Sequence, residues 1–574
     1  MATAVPAAER DLSVAFIARE PRIDYVWNSS NPTREGWPEP GSEVRWVAHV
    51  RWLGSEPLRN VGYRWLVDGE VARTGTLDFK PEALVTTELP RTWTFERSEI
   101  VFEIDPARAI DETEERNNRV ALHTDSLGIA FYVERTFWDG IGARIRRGRF
   151  GANTFDDWVQ KRVRHFNEMA AYAIYPETPR GVLDRWRIDA IHIVEDGALP
   201  LVPPYVEARD WGAPPPAWGG LYPNVLDHTV DMQWGYPAFT VDYWSDSAPW
   251  NLTIGNATLH ELAHARTMID VYAWNLTATG DVVRLDPAPP AVNGAYYSTR
   301  QHGMMHFDWG HIDRYSAIAM NRMAGRRALS GNYNEPWDLG FFLNDLPSRN
   351  RVRLVRPDGS AIANRAVRIY RVTGEKIDAP YGMVFDATPD LELTTDAEGV
   401  IEVGRNPFAE GDVVAFVDRA NGVAIVEILD GETRRWAYLD SLEFNLAYWR
   451  GNTAIAEYEV MADAPVCNDD LGPSAVTPSP EAVVTTREVL FHFPAARGRE
   501  YVLFIGIDGE LPHRVEVPAE DRTTRTLKRA LPPGRVVWWF EDEKVAAPCP
   551  ARHSSIYAFD HESEAMPRRR SIRR

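Results

Sequence analysis

Apolar and polar residues alternate with a period of two along the first hundred or so residues. In E-V-R-W-V-A-H-V-R-W-L, Val44, Trp46, Ala48, Val50 and Trp52 are separated by mostly polar neighbours, the pattern of a half-buried strand. Y-R-W-L-V-D-G-E follows, and Asp68–Gly69 predicts a hairpin turn. Residues 8–124 therefore read as one all-β module. From 125 to 347 the pattern becomes mixed α and β. L-G-I-A-F-Y-V-E (Leu127 to Glu134) reads as a strand and Thr154 to Tyr172 as a helix with Thr154 as N-cap. Two acids follow in that helix's first turn, and Phe155, Trp158, Val159, Val163 and Phe166 form its apolar stripe. Arg187 to Val194 is a further strand, and a long Trp- and Pro-rich stretch leads to a helix over Asn256 to Tyr272.

The period of two returns over residues 349–462, where alternation surrounds D-G and E-G turns, and again over 465–558 in E-V-L-F-H-F, Y-V-L-F-I-G-I-D-G and L-P-P-G-R-V-V-W-W-F. A Pro/Ser/Thr-rich linker, Leu471 to Pro480, lies near the start of this last module, and a basic tail occupies 559–574. The expected fold is multidomain: an α/β domain with three β-sandwich domains.

Composition narrows the function classes. The 574 residues are 44% hydrophobic and 25% charged, ordinary for soluble globular protein, and too many for one core. The formal charge of -20 argues against a nucleic-acid partner, because a phosphate-binding surface needs a basic field. The single basic cluster, P-R-R-R-S-I-R-R, reads as a solvated tail. No apolar run is long enough to span a membrane, and the start M-A-T-A-V-P-A-A-E-R-D lacks the features of a secretory signal. The two cysteines, Cys467 and Cys549, sit near the ends of the last module, where a disulfide would tie its edges and suit an oxidising compartment; two separate thiols are the alternative.

The chemistry concentrates in H-E-L-A-H, His260 to His264. Residues four apart on a helix share a face, so His260 and His264 aim two imidazoles at one spot, with Glu261 beside them as a general base. Leu259, Leu262 and Ala263 are placed to bury the helix's back. The donors suit Zn2+, whose catalytic sites take three protein ligands and leave a position for water. Continuing the count, Thr267 and Asp270 fall at the third and sixth positions after His264.

H-E-L-A-H-A-R-T-M-I-D resembles the metzincin pattern H-E-x-x-H-x-x-G-x-x-H in its snapalysin-type variant, where Asp replaces the third His. The resemblance implies a zinc endopeptidase with His260, His264 and Asp270 as ligands and Glu261 as base. G-M-M-H-F (Gly303 to Phe307) resembles the Met-turn of the same family, with Met305 as the turn methionine. Thr267 departs from the family's glycine, and Phe307 departs from its tyrosine, for which Tyr297 or Tyr315 would have to substitute. Asp270 as a surface acid at the helix end is the alternative, and the third ligand would then come from His302, His306, Asp308, His311 or Asp313. A later-helix Glu ligand is disfavoured, since Ser316 to Ala328 holds no acid.

The flanking modules carry resemblances of their own. The acidic stretch from Asp105 to Asn118 resembles the end of the bacterial cell-adhesion-related immunoglobulin-like domain. T-T-D-A-E-G-V-I-E-V (Thr394 to Val403) is similar to the T-D-x-x-G turn of carboxypeptidase-regulatory or collagen-adhesin B-type sandwiches, and 465–558 resembles a fibronectin type III sandwich. These imply an extracellular or cell-surface setting, with a protein or peptide substrate and a surface ligand for the Ig-like modules. The competing reading is an adhesion protein with a catalytically inactive metzincin-like domain. Four N-x-S/T sequons, at Asn28, Asn251, Asn256 and Asn275, read as coincidence.

Overall fold

The computed structural model describes residues 10–21, 38–135, 138, 154–196, 222–226, 229–234, 263, 268, 271, 274–278, 282–299, 303–306, 310–322, 324, 345–373, 376–377, 382–408, 422–467, 471, 475–545, 549 and 551–562. Their fold is mostly β-sheet with few helices. The chain forms two compact units, one of Met1–Ala171, Leu183–Arg266 and Asn321–Leu329, the other of Tyr172–Val182, Thr267–Met320 and Ser330–Arg574.

In the first unit, the N-terminal module is two antiparallel sheets. Leu12–Glu20, Glu43–Trp52 and Leu84–Thr92 make one; Glu70–Phe79, Leu58–Val67, Glu99–Ile104 and Arg119–His123 make the other, in that spatial order. Val44, Trp46, Ala48, Val50 and Trp52 are all buried, as their alternation predicts. Asp68 and Gly69 close the expected hairpin with φ of 49° and 83°, the positive pair that a type I′ turn requires.

The stretch Asp105 to Asn118 lies before the module's final strand and is held by its own polar side chains. Glu112 accepts the Leu12 backbone N–H at 2.7 Å and the Asn118 amide at 2.6 Å, while Asp11 accepts the Asn117 amide at 2.9 Å. Burial, opposed by those two bonds, pushes the Glu112 carboxyl up to about 8. A carboxyl raised in the folded state binds a proton that the unfolded chain has released, so its contribution to stability is present below the ordinary value near 4.5 and is lost as pH rises toward 8. Glu112→Gln should therefore flatten the fall in melting temperature between pH 5 and 8; thermal scans in which variant and wild type fall in parallel would contradict this.

The same unit contains a four-stranded mixed sheet ordered Tyr222–Leu226, Thr229–Trp234, Leu127–Glu134, Trp186–Val194. The first pair is antiparallel and the other two pairs are parallel. The helix Phe155–Tyr172 connects two parallel strands, as a parallel pair demands. Thr154 accepts the Asp157 N–H at 3.2 Å as its cap, and all five stripe residues are buried. Phe166 packs its ring 4.4 Å from Trp186.

Asp189 ties sheet to sandwich inside this unit. It accepts the Arg19 N–H at 2.9 Å and pairs with Arg187 at 3.1 Å, and the two guanidiniums lie over the rings of Trp93 and Trp46 at 5.1 and 5.6 Å. A Cβ on Gly128 would fall 2.7 Å from Asp189 Oδ2, so only glycine lets the strand pass this carboxylate. Burial lowers the neighbouring His49 to about 4.

The second unit holds two further sandwiches. One sets Val400–Glu402, Arg349–Val355 and Ile455–Met461 against Leu391–Thr394, Ala366–Tyr370, Val423–Asp430 and Thr433–Asp440, with Val352, Leu354, Ile369, Val426 and Leu439 in a shared core. The T-D-x-x-G turn joins strands of different sheets: Leu391–Thr394 pairs with Ala366–Tyr370, and Val400–Glu402 with Arg349–Val355. Asp396 accepts the Glu398 and Val400 N–H groups, and Gly399 takes φ of 83°.

The helix Ser441–Trp449 lies inside the stretch expected to be β throughout. Leu442, Phe444 and Leu446 alternate like a strand, but Asp440 caps the segment by accepting the Leu442 N–H at 3.0 Å. D-S-L-E, an acid with Glu three residues on, was the available signal.

The last module pairs Val483–Val484, Tyr557–His561, Gly534–Asp542, Tyr501–Ile507 and His513–Val517 in one sheet and Glu488–Pro494 with Thr524–Ala530 in another. Its final strand runs three residues into the expected tail, because Phe559 is fully buried against Phe491. Cys467 and Cys549 form a disulfide with Cα atoms 5.4 Å apart, closing the bridge that their positions suggested.

Candidate functional site

The expected ligands His260, His264 and Asp270 and the expected base Glu261 lie outside the described residues, as do Thr267, Phe307, His302 and Asp308. Of the motif helix, Ala263 is described: it is helical and fully buried, as a residue on the helix's back should be. Met268 and Val271 fall inside the expected span Asn256 to Tyr272 and are buried but not helical, so the helix does not extend over these positions as expected, and Trp274 just beyond is buried as well.

The turn containing Met305 is described. The His306 N–H donates to Gly303 O at 2.9 Å, closing the turn, and the Met304 N–H donates to His311 O at 2.9 Å. The Val271 N–H donates to Met305 O at 3.1 Å, which fixes the turn's backbone beside the residue following Asp270. Met304 and Met305 are both wholly buried. A side chain at Gly303 would meet Asp313, whose Oδ2 lies 2.8 Å from the place of a Cβ.

The described alternatives for a third ligand have their own contacts. The Asn275 amide donates to His306 Nε2, and Asn275 Oδ1 accepts the Thr299 N–H at 2.8 Å. The Asn275 sequon is thus used inside the fold. His311 stacks on His553 with centroids 4.3 Å apart. Asp313 caps the helix Arg314–Arg322, accepting the Tyr315 and Ser316 N–H groups at 3.0 Å and the Ser316 hydroxyl at 2.5 Å. That helix begins two residues before the expected Ser316 because Asp313 supplies the cap.

Both tyrosines considered for the missing hydroxyl donate to carboxylates. Tyr297 Oη donates to Asp440 at 2.6 Å, and Tyr315 Oη to Glu443 at 2.7 Å. Thr299 Oγ1 adds a bond to Asp440 at 2.8 Å. Asp440, Glu443, Asn275 and His553 are the residues that sequence reasoning missed around this segment. Tyr175 donates its hydroxyl to Ile312 O at 2.9 Å, and burial holds its phenol well above the usual range.

Among the described residues no group of three or more His, Cys, Asp or Glu is placed to hold a metal. No described helix is long and apolar enough to cross a membrane.

No family model matches the sequence, and no curated protein matches it. Among solved structures, the chain is similar to a CARDB domain from Pyrococcus furiosus, at 15% identity over 21% of this chain and 94% of that one, with a TM-score of 0.16. It is also similar to a cell surface protein domain from Methanosarcina acetivorans, at 17% identity over 20% and 90% of the two chains and a TM-score of 0.13. A streptococcal ancillary pilin matches at 11% identity over 39% and 64%, with a TM-score of 0.12. Likenesses this distant have no bearing on activity.

Proposed function

We propose that the protein is a zinc-dependent endopeptidase. The observation that carries the reading is H-E-L-A-H followed by Asp270 at metzincin spacing, together with the buried turn at Met305 bonded to Val271. Two imidazoles and one carboxylate are a donor set suited to zinc, and His260, His264 and Asp270 would hold it. A bound zinc would supply a water of lowered pKa and polarise the scissile carbonyl. Glu261 would take the proton from that water and pass it to the leaving amine. The α/β zincin fold belongs to this proposal for 125–347, and the mixed sheet with its connecting helix supports it. The Cys467–Cys549 disulfide supports an extracellular or cell-surface location.

A second reading is favoured by the architecture: a surface adhesion or binding protein whose middle domain is catalytically inactive. The described chain is mostly β-sheet, with sandwich modules supplying most of it, and Thr267 and Phe307 depart from the peptidase pattern. In this reading the modules over 8–124, 349–462 and 465–558 bind an extracellular ligand.

Incubating the purified full chain with unfolded casein separates the two. The peptidase reading expects cleavage that 1,10-phenanthroline abolishes and added zinc restores. Zinc-loaded protein that leaves casein intact would favour the binding reading.

A further inference from the structure

The Met305 turn is held by residues far from it in the chain. Thr299, fully buried, donates its hydroxyl to Asp440 Oδ2 at 2.8 Å, and the Tyr297 hydroxyl reaches the same oxygen at 2.6 Å. The other oxygen of Asp440 accepts the Leu442 N–H at 3.0 Å, which fixes the carboxylate at the start of the helix Ser441–Trp449. Asp440 ends the strand Thr433–Asp440, whose Ala437 and Leu439 lie in the core of the sandwich over 349–462. The anchor is therefore part of a packed module.

From Thr299 the contacts continue to the turn. The strands Leu276–Thr277 and Ala295–Tyr297 pair, with Leu276 opposite Tyr297. Just beyond that pair the Thr299 N–H donates to Asn275 Oδ1 at 2.8 Å, so a side-chain acceptor extends the ladder. The Asn275 amide nitrogen then donates to His306 Nε2. His306 closes the turn through its N–H on Gly303 O at 2.9 Å, and Met305 O accepts the Val271 N–H at 3.1 Å. Asp440, Thr299, Asn275 and His306 thus form a continuous chain of hydrogen bonds from the sandwich to the residue beside Met305. The far side of the turn is tied to the last module. The Met304 N–H donates to His311 O at 2.9 Å, and Gly310 O, one residue earlier, accepts the Ile556 N–H at 2.8 Å.

We propose that Asp440 is a positioning residue for the candidate zinc centre, acting through Thr299, Asn275 and His306 on the Met305 turn. The proposal rests on the peptidase reading, and it makes the sandwich over 349–462 a working part of that centre. Buried polar groups bonded in series hold one another in a single arrangement, so a change at one end is felt at the other. Groups that hold the surroundings of a metal in place change its affinity by roughly 10- to 100-fold when they are removed. An effect of that size is measurable.

Hydrogen exchange of the metal-free full chain, read by mass spectrometry over residues 303–306, tests the link without relying on activity. Thr299→Val keeps the side chain's volume and loses the hydroxyl, whereas Thr299→Ser keeps the hydroxyl and loses a methyl. Thr299→Val is expected to speed exchange at the Met304 and His306 amides about tenfold or more, and Thr299→Ser to recover most of the protection. Asp440→Ala, which also loses the helix cap, should do at least as much as Thr299→Val. Zinc affinity, measured by chelator competition, should fall about tenfold in Thr299→Val and in Asn275→Ala. The double variant should lose no more, because a chain already broken at one link gains nothing from a second break. Unchanged exchange in Thr299→Val, greater damage in Thr299→Ser than in Thr299→Val, or additive losses of affinity would overturn the proposal, since packing or independent contacts would then hold the turn. A wild type that binds no zinc, with exchange still faster in Thr299→Val, would remove the peptidase reading and leave Asp440 as the anchor of the turn.

Discussion

Replacing Glu261 by Gln is expected to abolish peptide cleavage while leaving zinc content unchanged. The substitution keeps the shape of the side chain and removes its ability to take a proton. A positioned general base contributes on the order of 10^2–10^4-fold to such a reaction, so kcat against a casein-derived peptide should fall by about that factor. The two imidazoles are untouched, which separates this variant from one that loses the metal. Full activity in Glu261→Gln would remove the residue from the chemistry, and loss of zinc with activity would make it a ligand or a support of one.

The second large effect is on stability. The Cys467–Cys549 bridge spans 82 positions of sequence, and on the chain-entropy model closing a loop of that length stabilises by about 4 kcal/mol. Both ends lie at the edges of the last sandwich, so the Cys467→Ser/Cys549→Ser variant should unfold this module at a lower guanidinium concentration. Trp538 and Trp539, buried within the module, are two of the 21 tryptophans that contribute to the fluorescence signal, so the module's unfolding is read as the part of the transition that shifts in the variant. A denaturation curve that overlays the wild type would contradict a bridge in the native protein.

Elements whose signals are local could be read from the chain. Leu127–Glu134 was delimited at both ends because a continuous apolar run is bounded by turns, and the helix from Phe155 follows from one cap and one stripe. Asp68–Gly69 needed two residues alone. Where periodicity and capping disagreed, periodicity misled: Leu442, Phe444 and Leu446 alternate, yet Asp440 makes a helix of them. The last strand was cut short because nothing local marks Phe559 as core; its burial depends on Phe491, 68 residues earlier in the chain.

The site divides in the same way. The proposal of His260, Glu261 and His264 rests on helical spacing alone. The proposal of Asp270 as third ligand needs more, because its position relative to the two imidazoles is a tertiary matter. What the fold adds is the buried Met305 turn bonded to Val271, and the occupation of His306, His311 and Asp313 by Asn275, His553 and the helix at Arg314. The hydroxyls of Tyr297 and Tyr315 are engaged by Asp440 and Glu443, acids from a module that the sequence reading kept apart from the chemistry.

Elemental analysis of the purified full chain, compared with His264→Ala, tests the central claim most directly. A zinc peptidase of this kind should carry about one zinc per chain, and the variant should lose most of it along with casein cleavage, because two remaining ligands do not hold a catalytic zinc. Equal zinc in the two proteins, or a wild type that binds none when zinc is supplied, would contradict the account.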